Sequence, residues 1–449
     1  MSIYARTYLK NFCMNKIFYI LALTPLLHLT AYGEDLESVY QKAAKNNAGY
    51  QASYMTYQAA AENIPIAFGT LLPNISITNA NLTRNLKTHE DASGFNLNAT
   101  QQIFNYTDWA TYTQAQYQLK EDALTYNQAL QNLINTAATD YFNVLEAQEQ
   151  LKYANANLLA NKENLDQAEQ QYKVGLKALT DVQSAKATYE SALATQIDDI
   201  NQVQDALETL SAVTGTPENN LSPLKTNFTK ITPSPADPQA WSNTALKHNL
   251  SILLAAEQVQ IDQAGVQVQK SNFYPTLEVT GQEAYAHAQN TNTNIGTASL
   301  VANWNVFTGF STVHSVSQAN LTKQSDQETY LQTQRNITSQ TQSDYLTVLS
   351  DIAQISAYQQ AVISGEASVT AAKAQYQVGT TTIYDLLQEQ AKLFSAEQQY
   401  ASAQFQYIQD SLKLKTDAGL LSPTDITAIN QWLETSSQET SSQEISKHD

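Results

Sequence analysis

The sequence states one pattern twice. Residues 171–181, QYKVGLKALTD, return as residues 375–385, QYQVGTTTIYD, at an offset of 204 residues. At the same offset TDYFNVLEAQ, from Thr139, returns as SDYLTVLSDI, from Ser343, and Gly215 returns as Gly419. A register kept over about 80 residues marks a duplicated structural unit, so the chain is one architecture built twice rather than a string of unrelated domains. In each copy a Gly separates two long helical patterns and an Asp stands near the start of the second. This predicts two helical hairpins, with tips near residues 175 and 379.

From Asp108 to Tyr172 the first hairpin has about 65 residues without Pro or Gly, about 95–100 Å of helix at 1.5 Å per residue. A heptad stripe runs through it at Val144, Leu151, Leu158, Leu165 and Tyr172, accompanied by small residues at Ala147, Ala154, Asn161 and Ala168. The copy has Val348, Ile355, Val362, Val369 and Tyr376. Sustained seven-residue spacing is the coiled-coil signal. Residues 34–64, which Pro65 and Pro73 close, and Asp181 to Leu210 each predict about 30 helical residues by their apolar spacing. Each half is then one unbroken helix beside one stacked pair.

Between these helices the period changes to two. Phe95, Leu97, Ala99 and Ile103 alternate with Asn96, Asn98, Thr100 and Gln102, and before them Ile75 and Ile77 alternate with Asn74, Ser76 and Thr78. In the second half Leu277 and Val279, then Ala298, Leu300, Ala302, Trp304 and Val306, alternate with polar residues in the same way. Polar stretches at Asn85 to Ser93 and around Gln289 to Gly296 are expected as loops joining each strand pair. An apolar face backed by amides and hydroxyls suits a strand with lipid outside and water inside, and a half-buried soluble sheet alternates too.

Residues 1–33 carry Arg6, Lys10 and Lys16 and no acid, an apolar run from Ile17 to Leu29, and Ala31-Tyr32-Gly33. This is the pattern of a secretory signal, with Met14 a second possible start. Its removal takes the net charge from −18 to −21, which argues against nucleic acid as a partner. Cys13 is the only cysteine, so the mature chain has no disulfide and no thiol nucleophile. No later apolar run approaches a membrane helix, and a chain like this crosses a membrane only as a barrel. The six histidines, at 28, 89, 248, 287, 314 and 448, never fall at metal-ligand spacing, and no phosphate-binding or nucleophile motif is present. The reading is not an enzyme, with no cofactor and no metal.

Polar chemistry collects at the tips. Thr180 with Gln183, and Asp385 with Gln388, have the spacing of capping boxes. Asp181 and Asp385 would equally form acidic rings if several chains met around one axis. Tyr172 and Tyr376 read first as seam residues and second as donors to those carboxylates.

These tips, the paired strands and the strand starts LLPNI (from Leu71) and FYPTL (from Phe273) resemble the TolC family of outer-membrane efflux channels, over about Glu34 to Leu433. The resemblance implies an α+β membrane protein: a homotrimer whose four strands per chain close a 12-stranded barrel, continued into a coiled-coil periplasmic tunnel. By position, Thr180, Asp181, Tyr376 and Asp385 match the family's periplasmic gate, with Tyr376 to Asp181 the expected closing hydrogen bond. Val174, Gly175, Leu176, Val378, Gly379 and Thr380 match its docking tips for a periplasmic adaptor protein that joins the channel to an inner-membrane transporter. Two departures stand out: Thr381 where the family's best-known member has an Arg, and Gln388 where it has a second Asp. Both imply a closed state held more weakly.

The expected organisation is a signal at 1–33 and a first repeat at 34–214, with strands at about 68–106. A Pro-rich linker at 215–239 leads to a second repeat at 240–419, with strands at about 273–308, and 420–449 hold a short helix and a disordered tail. The function expected is an outer-membrane exit duct for small-molecule efflux or type I protein secretion, in the outer membrane of a Gram-negative bacterium. A structural or adhesive coiled-coil envelope protein would use the same heptads, but it leaves the two-faced strands unexplained.

Overall fold

The computed structural model describes residues 33–84, 91–225, 228–288 and 291–434. The signal expected at 1–33, apart from Gly33, and the tail from residue 435 lie outside the described residues. Three helices come first, α1 (Leu36–Asn46), α2 (Ala48–Ala61) and α3 (Asn63–Gly69), followed by strands β1 (Asn74–Arg84) and β2 (Asp91–Phe104). The first hairpin is α4 (Tyr106–Lys173) and α5 (Leu179–Thr214). The pattern then repeats as α6 (Pro238–His248), α7 (Leu250–Ser271), β3 (Thr276–Ala288), β4 (Thr291–Asn303), α8 (Ser311–Gln377) and α9 (Ile383–Asp417), and α10 (Pro423–Asn430) ends it.

Local chemistry sets the breaks. Asn47 ends α1 and caps α2, its side chain accepting from the Tyr50 N–H at 2.9 Å, and Asn249 does the same between α6 and α7. Pro65 does not close the first helical run as expected. It sits in the first turn of α3, where no intrahelical partner for its missing N–H exists anyway. With 68 and 67 residues, α4 and α8 are each about 100 Å long. α4 packs against α1, α2, α3 and α5 in one half and α8 against α6, α7 and α9 in the other, while α7 and α9 also touch α4. In α4 the small stripe is the buried seam, since Ala147, Ala154, Asn161 and Ala168 are buried. The larger heptad residues Leu151, Leu158 and Leu165 are only half-buried, and Tyr172 is 44% exposed.

The main core lies midway along α4 and α8, around the ends of α5 and α9 away from the tips. Tyr141, Phe142, Val348, Ile355, Phe405, Tyr407, Ile408 and Ile426 form it with Leu36 of α1. The Tyr141 hydroxyl lies 2.8 Å from the Ser222 carbonyl and 3.1 Å from that of Glu34. The Pro-rich passage is pinned here rather than strung between halves: Leu221 bridges Glu34 in parallel and Leu224 bridges Leu433 antiparallel.

All four strands form one antiparallel sheet in the order β1-β2-β3-β4. Directly opposed residues share a face, and the register carries an apolar row across the sheet: Ile75 faces Ala99, Ala99 faces Gly281 and Gly281 faces Ala298, with Val279 against Leu300 beside them. The other face is mostly polar, with Ser76 opposite Asn98, Asn98 opposite Gln282 and Thr280 opposite both Thr100 and Ser299. A bulge between Thr78 and Asn81 reverses the phase of β1, with Asn79 in the left-handed region at φ 53°. As a result Leu82 rejoins the apolar face opposite Ser93. The expected loops are shorter than read. Asp91 to Ser93 and Thr291 to Gly296 are strand, paired in register, and residues 85–90 and 289–290 are outside the described set. Polarity misleads there because the strands continue past their apolar band. Where the sheet meets the long helices, Phe104, Trp109, Phe273, Trp304, Phe307 and Phe310 are all exposed, as in the aromatic girdles of membrane barrels.

Candidate functional site at the hairpin tips

The repeated QYxVG string is a helix terminator. At the end of α4 the Leu176 N–H donates to the Gln171 carbonyl at 2.9 Å and the Gly175 N–H to the Tyr172 carbonyl at 2.9 Å. At the end of α8 the Thr380 N–H donates to the Gln375 carbonyl at 2.9 Å and the Gly379 N–H to the Tyr376 carbonyl at 3.1 Å. Both are Schellman caps, which need a left-handed residue. Gly175 and Gly379 supply it at φ 78° and 79°. Neither has an atom within 4 Å of an added Cβ, so the glycines serve the turn and leave the tip surface open. Replacing both with Ala is expected to cost about 1–2 kcal/mol each at the turn while the helices persist, which circular dichroism melting reads directly.

That turn throws the apolar residues outward. Val174 is 70% exposed, Leu176 74% and Val378 75%, while Thr380 bonds only back to the Gln375 carbonyl. The six expected docking residues therefore form two protruding knobs.

The helices that leave the tips start differently. The N-cap of α9 is Thr382, and Asp385 is the third helical residue. The Asp385 N–H donates to Thr382 Oγ1 at 3.2 Å, and Asp385 Oδ2 accepts from the Thr382 N–H at 3.1 Å. The Thr382 and Thr381 hydroxyls donate to the same oxygen at 2.6 and 3.0 Å. The Thr382 hydroxyl, its N–H and the Thr381 hydroxyl hold the Asp385 carboxyl below the usual carboxylate range. The capping box thus runs from Thr382 to Asp385, not from Asp385 to Gln388, because Asp385 lies one turn inside the helix. In α5 the corresponding N-cap is Ala178, with no side-chain cap, and Thr180 is the second helical residue and exposed. The expected box from Thr180 to Gln183 is absent for the same reason of register. Among the described residues no hydrogen bond engages the Asp181 carboxylate.

Tyr376 is 1% exposed and packs with Ala372, Ile383, Leu386 and Leu387. Its hydroxyl donates to Gln171 Oε1 at 3.2 Å, so the expected Tyr376 to Asp181 bond is not made within the chain. Asp181 is nonetheless near: burial first, and then its negative charge, raise the Tyr376 phenol above its ordinary value. From the first tip Lys177 Nζ lies 4.5 Å from the centre of the Tyr376 ring, a cation–π distance. Behind it Asn164 donates to Gln390 Oε1 at 2.6 Å, and Lys373 lies 3.7 Å from Glu163. The α4/α5 and α8/α9 hairpins are thus tied near their tips through Tyr376. Sequence reasoning found Tyr376 and Asp181 but missed Gln171 and Lys177. The asymmetry of Lys177 against Thr381 at the repeat offset was the available signal.

Among the described residues no group of three or more His, Cys, Asp or Glu could hold a metal, and no helix is long and apolar enough to cross a membrane. The Outer membrane efflux protein family model matches residues 39–216 and 241–420, one match to each repeat. The chain is 31% identical over 423 residues to Outer membrane protein TolC of Escherichia coli K12, covering 89% of this chain and 85% of that protein. It is 23% identical to the alkaline protease secretion protein AprF of Pseudomonas aeruginosa, covering 90% and 88%. Among solved structures, the Campylobacter jejuni CmeC outer membrane channel superposes with a TM-score of 0.76 at 17% identity, covering 90% of each chain. A family match over both halves, with a relative above 30% identity along nearly the whole chain, makes this protein a member of the outer membrane efflux protein family: an outer-membrane channel rather than an enzyme.

Proposed function

We propose that three copies of this chain close a twelve-stranded barrel, and that the helical hairpins continue it as a periplasmic tunnel gated at the tips. The observation that carries this reading is the sheet. It has an apolar row that crosses all four strands on one face and two unpaired edges among the described residues, β1 and β4, and four strands cannot close a barrel, for which eight is the usual minimum. The knobs at Val174, Gly175 and Leu176, and at Val378, Gly379 and Thr380, are the docking surface for a periplasmic adaptor that links the channel to an inner-membrane transporter. Likeness to a protease secretion protein favours type I secretion among the cargo routes, and likeness to TolC supports the same exit-duct role. The protein has no energy source of its own. It opens when the docked adaptor binds the open arrangement better than the closed one.

The gate is Tyr376 held between the two hairpins, with Gln171 on its hydroxyl and Lys177 on its ring, and Asp181, Asp385 and Thr180 alongside. Lys177 takes over from the missing Arg at Thr381. The test is single-channel recording in planar bilayers. Gln171→Leu combined with Lys177→Met is expected to raise conductance several-fold over the wild type. Steps of unchanged size from a folded, inserted variant would remove these residues from the gate.

A further inference from the structure

Far from the tips, α8 and α9 press carboxylates against one another. Asp344 and Asp351 stand one heptad apart on α8, and Asp410 and Asp417 one heptad apart on the antiparallel α9, so they meet as two pairs, Asp344 with Asp417 and Asp351 with Asp410. Asp344 is 4% exposed and Asp351 7%. Asp344 Oδ1 is engaged, by Lys413 at 2.6 Å and Gln340 at 2.9 Å. Asp410 accepts from Gln406 at 2.9 Å. Three further oxygens, Oδ2 of Asp344, Asp351 and Asp417, are buried with no donor among the described residues. A buried oxygen left unpaired is costly, and one proton per pair supplies the missing donor to both partners.

We propose that the α8/α9 seam is a proton-sensitive clasp: each aspartate pair holds one proton, the two helices grip tightly in mild acid, and the grip loosens as the pH rises to neutral and above. Burial, then the bond and charge shared with Asp344, push the Asp417 carboxyl up to about 7 from its ordinary 3.8, against the opposing pull of Lys413. Burial and the facing Asp410 push Asp351 up to about 6. Groups whose folded values are raised stabilise the fold fully below their unfolded value near 3.8, and lose that contribution as pH rises through about 6 to 7.

The other charged and titratable groups around the seam have partners or sit aside from it. Burial works against the Lys413 charge, but Asp344 outweighs it and holds the ammonium above its ordinary value, with Asp417 and Asp410 adding to the effect. Lys230, on the segment before α6, bonds Ser356 Oγ at 3.1 Å, and Lys415 bonds Asp425 at 2.6 Å. Tyr407 of α9 donates its hydroxyl to the Ile231 carbonyl at 2.8 Å, and its phenol is raised by burial and, more weakly, by Asp351. Lys247 and His248 end α6, and Asn249 just beyond them donates to the Asp417 backbone carbonyl at 2.9 Å. Among the described residues no group of three or more His, Cys, Asp or Glu around the seam could hold a metal.

Hydrogen exchange of the detergent-solubilised full chain tests this, read over α8 and α9 after correction for the intrinsic rate at each pH. Protection around 344–351 and 410–417 is expected to fall roughly a hundredfold between pH 5.5 and 8 in the wild type, since the range starts about 1.5 pH units below the Asp417 value and about 0.5 below that of Asp351, each unit being tenfold. It should change little in Asp351→Asn with Asp417→Asn, where the amides keep a donor at every pH. Wild-type protection that is equal at both pH values overturns the proposal. Infrared spectroscopy gives a second readout that does not depend on stability. A carboxylic acid carbonyl band in the wild type should titrate across this range, and its absence at pH 5.5 overturns the proposal even if the Asn variant fails to fold.

Discussion

Leu300→Arg is expected to keep this protein out of the outer membrane. Leu300 is 67% exposed on β4, opposite Val279 and on the same face as the apolar row that crosses all four strands. A guanidinium on the lipid face of a membrane barrel costs about 2–4 kcal/mol at midplane depth, and the proposed trimer would repeat that cost in every copy. Ser299→Arg, one residue away on the polar face opposite Thr280, puts the same charge toward the lumen, where it alters ion selectivity but not insertion. The measurement is the amount of each variant recovered from outer membranes by detergent. Loss for Leu300 with retention for Ser299 is the expected pair. Equal recovery would mean that the apolar face does not meet lipid.

Gly419→Ala is the second large effect. Gly419 ends α9 in the left-handed region at φ 70°, and its N–H donates to the Thr416 carbonyl at 2.9 Å. A Cβ there would stand 2.2 Å from the carbonyl carbon and oxygen of His248 and 2.5 Å from the Asn249 nitrogen. These are backbone atoms and cannot swing aside. Left-handed strain adds to the overlap, for a total of roughly 3–5 kcal/mol. The expected outcome is little folded protein, in contrast to the mild loss at Gly175 and Gly379, where the turn is the same but the space is open. A variant melting within a few degrees of wild type would mean that α9 and the α6/α7 junction separate easily.

The contrast between these glycines also marks what the sequence carries. The offset of 204 residues made Gly175, Gly379, Gly215 and Gly419 visible as equivalent helix ends, because a left-handed cap is a local requirement written in one residue. The alternation in Phe95 to Gln102 and in Ala298 to Ala302 reveals a two-faced sheet, whereas Trp304 and Val306, read as its continuation, lie past the end of β4 at Asn303. Alternation does not reveal the bulge at Asn79 that restores Leu82 to the apolar face, since a phase shift of one residue looks like noise in a single strand. Thr291 to Gly296 read as loop because polarity reports contact with water and says nothing of pairing.

Residue spacing places the helix caps three residues late at Asp385 and two late at Thr180. Each time a good capping residue lay inside the first turn, and Thr382 and Ala178 were the true starts. Long-range partners were beyond reach. Nothing local to Tyr376 points to Gln171, 205 residues away, and nothing in the prolines of Gly215 to Gln239 shows that Leu221 and Leu224 pair with Glu34 and Leu433.

A membrane pore with acidic tips is read out by single-channel current from detergent-extracted protein in planar bilayers. The wild type should insert and give small, cation-preferring steps, and Asp181→Ala with Asp385→Ala should lose that preference and give larger ones. Protein shown to be folded that never inserts would contradict the channel, and anion-preferring steps unchanged by the two substitutions would contradict the acidic gate.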